Sequence, residues 1–291
     1  MKINLIMHNM KRIFLIFLLF FVLNSCGVNL QQDSYNFDNF KETPLWNLAK
    51  AVRADNANKV KQILEEGNLE IDFRDPEYKQ TLLALAIQND KRNAFLQLLN
   101  EGANPNELVG IPQDSTPFTD GIWNVKDCDL FYVENMLKHG ANPNFEIKNP
   151  QPEYYFENSF PLLIAVKKNG IYTKDCLELI KLLVDNGADV NCCYKQSNSK
   201  ICEGVLAESL KSNSMEALKY FVIEKNIAIP DTVIILGGLK KSTEELYSLK
   251  EILKSKSYQY EDFEREGKKF DRSQMRKTRD EILEYLDKME K

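Results

Sequence analysis

One nine-residue pattern occurs three times in this 291-residue chain, and its spacing limits the possible folds more than any other feature does. It consists of two apolar residues, two polar residues, Gly-Ala, then Asn or Asp, one further residue and Asn. The copies cover 98–106, 136–144 and 183–191, and a weaker copy contains Gly67. The four glycines are separated by 35, 38 and 47 residues. A repeat of this period indicates an array of similar units that stack side by side.

Each copy follows an apolar run with the period of a helix, and its glycine stands where a left-handed residue ends a helix. A second short helix is predicted upstream of each copy, starting at Thr81, Thr116 and Phe160. A single helix pair cannot cover its own apolar face. Side chains such as Leu98 and Leu183 are therefore expected to pack against neighbouring units.

These motifs resemble the ankyrin repeat family, in which a turn, a helix, a loop, a second helix and a glycine-ended loop recur about every 33 residues. The resemblance covers residues 44–229 in about five units. It implies an all-α solenoid with loop fingers that binds another protein. The histidine that the family places after Thr-Pro-Leu is replaced here by Ala84, Thr119 and Leu163. The fifth unit, 205–226, lacks the expected glycine, so we interpret it as a degenerate capping unit.

The N-terminus predicts export and a lipid anchor. Lys11 and Arg12 precede an apolar run of 11 residues, whereas a spanning helix needs roughly 20. Residues 23–26, Leu-Asn-Ser-Cys, resemble a bacterial lipoprotein signal. This implies cleavage after residue 25 and fatty acyl chains such as palmitate on Cys26. Gly27, where many inner-membrane lipoproteins have Asp, favours the outer membrane, facing the periplasm. An ordinary cleaved signal with an incidental cysteine is the alternative.

The predicted organisation has four parts: a signal peptide, 1–25; the lipidated cysteine and a flexible tether, 26–43; the repeat domain, 44–229; and a charged helical C-terminal cap, 230–291. Trp46 and Leu48 are expected to cover the first unit. In the tail, 242–245 has the pattern of a capping box, and a second helix is expected over 271–291. The tail could cover the last unit or form a separate partner-binding element.

The distribution of charge argues against nucleic-acid binding. The chain has a formal net charge of -5, and residues 1–25 hold three basic residues and no acid, which leaves -8 for the remainder. Residues 231–291 contain 14 basic and 14 acidic residues, so the excess lies in 26–230, with 21 basic against 29 acidic. Nucleic-acid binding requires the opposite balance. Acids in predicted loops and first helices, including Asp114 and Asp120, would favour a partner with a basic surface, or form an ordinary soluble surface.

The loop after Gly140 is long for a finger, with 19 residues from 141 to 159. Its aromatic residues and flanking acids are Phe145, Glu153, Tyr154, Tyr155, Phe156 and Glu157. Long structureless loops in compact domains are often functional, and exposed aromatic residues are frequent in interface hot spots. We therefore expect a partner contact here, or a local lid that folds back on the array. Trp123 is a further candidate, although it could simply fill a groove beside its own helix.

Five cysteines remain once Cys26 is assigned to lipid. Cys192 or Cys193 could pair with Cys202 across a finger, and Cys193–Cys202 is the preferred pair. Cys128 and Cys176 are expected to be buried thiols, because stacked helices lie roughly 8–10 Å apart.

The chain contains no recognisable catalytic set, so we expect neither an enzyme nor a cofactor or metal site. His139 is the sole histidine after residue 8, and the sequence has no Gly-x-Ser-x-Gly and no phosphate-binding loop.

A periplasmic ankyrin lipoprotein resembles immunity proteins that occlude toxic effectors of the type VI secretion system, phospholipases among them. That resemblance implies a monomer that binds one effector at the membrane. The alternative is a periplasmic scaffold or stress-protection factor that binds a resident envelope enzyme.

Overall fold

Helices dominate the computed structural model, which describes residues 35–111, 114–148, 158–171, 176–195, 202–231, 234–235, 246–265 and 268–290. The helices are α1 Trp46–Arg53, α2 Ala57–Glu66, α3 Leu82–Gln88, α4 Arg92–Asn100, α5 Pro117–Trp123, α6 Phe131–Lys138, α7 Pro161–Ile171, α8 Leu177–Asp185, α9 Val205–Lys211, α10 Met215–Lys219, α11 Leu249–Lys254 and α12 Ser273–Met289. Within these residues, no helix has the length and apolar character needed to cross a bilayer.

Four short antiparallel hairpins accompany the helices in the described residues. They pair β1 Ile147–Lys148 with β2 Asn158–Ser159, β3 Cys193–Lys195 with β4 Cys202–Gly204, β5 Ile234–Ile235 with β6 Leu246–Tyr247, and β7 Phe263–Arg265 with β8 Lys268–Phe270. The first two pairs lie in the repeat region, each immediately before the first helix of a unit. The last two lie in the tail.

The helices form consecutive pairs, and the first helices of successive pairs pack in a row. Helix α1 contacts α3, α3 contacts α5, α5 contacts α7 and α7 contacts α9. Side chains between them, such as Leu85, Phe118 and Leu162, are fully buried. Burial of a large apolar side chain contributes about 1.5–3 kcal/mol, so much of the stability of each unit depends on its neighbours.

The starts of the short helices follow from local hydrogen bonding. Thr81 is the N-cap of α3, and its side chain accepts a hydrogen bond from the backbone N–H of Ala84 at 3.2 Å. Thr116 caps α5 in the same way, and Thr119 returns a bond to the N-cap backbone, which completes a capping box. The predicted starts at Thr81 and Thr116 are confirmed.

The glycines of the three strong motif copies end their helices in a left-handed conformation, as predicted. Gly102, Gly140 and Gly187 have φ values of 93°, 86° and 90°. Gly67 of the weaker copy differs, because its φ is -112° and the chain leaves α2 in an extended conformation. In the fifth unit Asn226 has a φ of 48°. Asparagine tolerates this region better than most residues, so the unit keeps a left-handed residue without a glycine.

Part of the expected tether belongs to the folded body. Residues Phe37–Phe40 form a short 3₁₀ helix that packs on α1, and Phe37 and Phe40 are buried. These two rings anchor the segment by apolar packing, although the residues around them are mostly polar. Residues 36–43 therefore cover the first unit together with Leu48, which is buried, and Trp46, which is partly buried.

The tail packs against the last repeat unit. Helix α12 contacts α10, where the Thr278 hydroxyl donates to Glu216 at 2.7 Å and Lys219 pairs with Glu281 at 2.6 Å. The predicted second helix is confirmed as α12. The predicted capping box at 242–245 lies outside the described residues. The structure has a capping box at Ser248 and Glu251, so α11 begins later than expected and Leu246 lies in β6.

Candidate functional site

The candidate site is the surface formed by the first helices α3, α5, α7 and α9 and by the loop before each of them. We call these loops fingers 1 to 4, for residues 68–80, 103–115, 141–160 and 188–204. Fingers vary in length and sequence on a common row of helices, which is how repeat proteins usually build a binding surface.

Finger 1 is shaped by a buried aspartate. The carboxylate of Asp75 accepts hydrogen bonds from the backbone N–H groups of Glu77, Tyr78 and Gln80 at 3.0, 2.7 and 2.6 Å. Asp75 is fully buried. This acid therefore holds the turn and does not contribute to an acidic binding surface.

Finger 2 is fastened to finger 1 and exposes an apolar tip. The backbone N–H of Gly110 donates to the Lys79 carbonyl at 3.2 Å, and Arg74 donates to the Leu108 carbonyl at 3.1 Å. Ile111 is 65% exposed, the largest value among the exposed large hydrophobic residues of the described chain. Ile111 was not among the predicted contact residues, although its position in a loop, between a glycine and a proline, is visible in the sequence.

Finger 3 has an ordered base. Ile147 pairs with Ser159 and Lys148 with Asn158, so the 19-residue loop expected to lack structure is closed by a two-stranded ladder. Phe145, at the base, is partly exposed. The predicted contact residues Glu153, Tyr154, Tyr155, Phe156 and Glu157 lie outside the described residues.

Finger 4 is a hairpin closed by a disulfide between Cys193 and Cys202, whose Cα atoms are 5.4 Å apart. Beneath it, Glu203 is 1% exposed and pairs with Lys211, and the Tyr194 hydroxyl donates to Glu208 at 3.2 Å. Burial, together with Glu208 and Glu203, raises the pKa of Tyr194, so its phenol stays neutral. The buried polar groups join the hairpin to α9.

Cys128 and Cys176 form a second disulfide, so the prediction that they are buried thiols is wrong. The two sulfurs are bonded, and the Cα atoms are 5.4 Å apart, although the residues are 48 positions apart in sequence. Cys128 precedes α6 and Cys176 is the N-cap of α8, so the bond joins the turns before the two helices and not the helices themselves. Cys192 is buried and free, and burial raises the pKa of its thiol to about 12.

Asp120 does not present its carboxylate to a partner. It lies in α5 at 5% exposure, against the side chains of Gln88 and Ser115, and burial raises its pKa to about 7. Asp114, in finger 2, is exposed. Tyr35 lies near both carboxylates, and burial raises its pKa to about 12 with a further contribution from their charges.

Trp123 ends α5 and is 38% exposed. Its backbone carbonyl accepts a hydrogen bond from the Lys168 ammonium group at 2.6 Å, which joins α5 to α7. Burial and nearby Lys126 lower the pKa of Lys168. The backbone of Trp123 is thus held on the first-helix row by a lysine that is largely withdrawn from solvent.

A ladder of asparagine side chains joins the fingers at the glycine motifs. The Asn106 amide donates to the Gly140 carbonyl at 2.9 Å and accepts from the Asn142 N–H at 2.8 Å. In the same way, the Asn144 amide donates to the Gly187 carbonyl at 2.8 Å and accepts from the Asp189 N–H at 2.7 Å. The last residue of the first and of the second strong motif copy therefore binds the backbone of the next copy, which explains why Asn occupies that position.

A comparison with known families matches one of these units. Residues 158–195 match the ankyrin-repeat family model. The match covers β2, α7, α8 and β3, which include the third strong motif copy, and it supports an ankyrin-repeat protein. No curated protein matches the chain. Ankyrin repeats are typically interaction modules and not catalysts, so the match supports binding to another protein.

The described residues offer one cluster of metal-type ligands, Cys128, Cys176 and Glu178. Its two sulfurs are tied to each other in the disulfide, and the Glu178 carboxylate lies 3.5 Å from the Cys128 sulfur. This arrangement does not provide a thiolate site.

Proposed function

We propose that this protein is an ankyrin-repeat solenoid anchored by lipid in the bacterial envelope and facing the periplasm, where it binds and occludes a toxic effector delivered by a type VI secretion system. The observation that carries the proposal is the row of first helices with its four fingers, the arrangement by which repeat proteins build a binding surface. The resemblance to periplasmic immunity lipoproteins implies an effector that attacks membranes, and phospholipases belong to this class.

Two disulfides in the body of the protein favour an oxidising compartment. Cytosolic proteins rarely keep structural disulfides, whereas the periplasm forms and maintains them. Cys128–Cys176 and Cys193–Cys202 are therefore consistent with export by the N-terminal signal.

The anchor would hold the binding surface close to the bilayer. The Asn89 amide donates to the Tyr35 carbonyl at 3.1 Å, so the chain reaches the folded body beside the C-terminal end of α3. Eight residues lie between Cys26 and Tyr35, and the nine Cα-to-Cα steps can span at most about 30 Å. A partner bound on the first-helix row would thus be held near the membrane, where a membrane-attacking toxin must act.

The test is survival in the presence of the effector encoded beside this gene. Deletion of the gene is expected to make cells sensitive to that effector, and expression of the wild-type chain is expected to restore growth. The variant Cys26→Ser, which removes the acyl acceptor, should restore growth less well. Survival of the deletion strain at the wild-type level would contradict the proposal.

A further inference from the structure

The asparagine of the third motif copy, Asn191, differs from the other two. Asn191 follows Gly187 by four residues, as Asn106 follows Gly102 and Asn144 follows Gly140. Its side chain is exposed, and its amide nitrogen donates to the Asp189 carboxylate of its own loop, at 3.2 Å. Within the described part of the chain, it makes no bond to the backbone of the fifth unit.

The fifth unit leaves this position open because its backbone takes a different course. By register with Gly187 and Asp189, the groups that Asn191 would bind belong to Asn226 and Ala228. A π-helical turn over Tyr220–Glu224 precedes them, and the Ile227 N–H bonds to the Phe221 carbonyl at 3.2 Å. This altered helix end gives the backbone a different path into 227–230.

A cleft separates Asn191 from that backbone. Its volume is about 410 Å³, and it lies between the base of finger 4, the start of α9 and the segment 227–230. Its apolar lining includes Val190, Val205, Ile227, Ile229 and Pro230. An exposed amide at the edge of an apolar cleft matches the usual composition of a ligand site, in which few polar groups orient a ligand and apolar walls bind it.

We propose that Asn191 and this cleft bind an extended segment of the partner protein, an inference that rests on the proposed function. The Asn191 side chain donates a hydrogen bond to one backbone carbonyl of this segment. It accepts another from the backbone N–H two residues further on, as Asn106 and Asn144 do in the ladder. An apolar side chain of the same segment enters the cleft. The backbone pair does not depend on sequence, so the apolar side chain sets the specificity.

A backbone segment that the ladder already binds can be used as a peptide probe. The acetylated and amidated peptide Gly-Ala-Asp-Val-Asn has the sequence of 187–191, whose backbone Asn144 binds. It is titrated into the full chain, solubilised in detergent and labelled with ¹⁵N on asparagine, and the side-chain resonances are followed by NMR. The Asn191 amide signal is expected to shift and to saturate. Absence of a shift up to the solubility limit of the peptide would overturn the proposal.

Matched controls test both sides of the contact. A peptide methylated on the backbone nitrogen of its Asp lacks the N–H that the asparagine oxygen would accept, so it should bind about tenfold more weakly. Asn191→Ala should weaken the unmodified peptide by a similar factor. Asn186→Ala is the control, because the Asn186 amide bonds to the Leu182 carbonyl of its own helix at 2.8 Å and should leave the affinity unchanged. Equal affinity of Asn191→Ala and the wild type would refute the site.

Two further outcomes separate this inference from the proposed function. If Asn191→Ala binds the effector as tightly as the wild type does, the cleft is not the contact, while the protein remains an effector-binding module. If the wild-type chain takes up the peptide and fails to bind the effector, the proposed function fails and the peptide site stands. Nuclear Overhauser contacts between the Asn191 amide and residues 236–245 in the free protein would show the chain's own segment in the cleft and overturn the inference.

Discussion

The Asn144 side chain spans two repeat units, donating to the carbonyl oxygen of Gly187 at 2.8 Å and accepting from the N–H of Asp189 at 2.7 Å. A single amide thus fixes the register between the third and fourth fingers. The same pair of bonds joins Asn106 to Gly140 and Asn142. Cooperation between neighbouring units depends on these bonds as well as on apolar packing.

Asn144→Ala is expected to lower the free energy of unfolding by about 1–2 kcal/mol, because it removes two hydrogen bonds between units. Asn191→Ala, at the same place in the next motif copy, should cost far less, since among the described residues Asn191 makes no bond to another unit. Urea unfolding followed by circular dichroism measures both. Equal losses for the two variants would show that the ladder does not stabilise the array.

Glycine at the end of a repeat helix is required by backbone conformation and not by lack of space. Gly140 has a φ of 86°, and a Cβ placed there would meet no atom within 4 Å. Gly140→Ala should therefore cost about 1–2 kcal/mol through strain alone. Gly140→Asn should cost less, because Asn226 adopts the left-handed conformation in the fifth unit. Thermal unfolding of the two variants tests this order, and a smaller loss for alanine would contradict it.

The two disulfides should differ in their contribution to stability. Cys128–Cys176 closes a separation of 48 residues, and Cys193–Cys202 closes one of 9. In the chain-entropy description, the longer loop stabilises the fold by about 1.5 kcal/mol more.

Serine substitution of each pair, in a Cys192→Ser background that prevents exchange, allows the comparison by chemical unfolding. A larger loss for the Cys193–Cys202 pair would mean that the loop length does not set the order.

Burial of Asp120 makes stability depend on pH. Its pKa is about 7 in the folded protein, against 3.8 for an exposed aspartate, so between these values the folded state holds a proton that the unfolded state has lost. Stability therefore decreases as the pH rises from 4 to 7 and is constant above that range with respect to this group.

Asp120→Asn cannot ionise and should remove this part of the slope. At pH 8 it should be more stable than the wild type by up to about 4 kcal/mol, with the difference vanishing near pH 4. Unfolding at several pH values measures the difference. A difference that does not change with pH would contradict the assignment.

The sequence predicts the regular parts of this fold well, because glycine and asparagine at fixed spacing have local causes. The left-handed ends at Gly102, Gly140 and Gly187 follow from one residue type. The Cys128–Cys176 bond could not be predicted in this way, since it depends on how closely two turns approach in space. The covering role of Phe37 and Phe40 was hidden by the polar residues around them.

The candidate site was predicted less completely. Acidic residues looked alike in the sequence, whereas Asp75 shapes a turn, Asp120 is buried and Asp114 is exposed. Only tertiary packing separates these roles. Ile111 lies between a glycine and a proline, a local pattern that favours exposure, whereas the open position of Asn191 depends on a helix irregularity one unit away.

Capture of the effector tests most directly whether this protein binds and occludes a toxin. The full chain in detergent is titrated calorimetrically with the effector encoded beside it, and the toxin's activity on membranes is measured in the same mixtures. We predict a one-to-one complex whose formation abolishes that activity. An effector that remains fully active in the presence of excess protein, with no heat of binding, would contradict it.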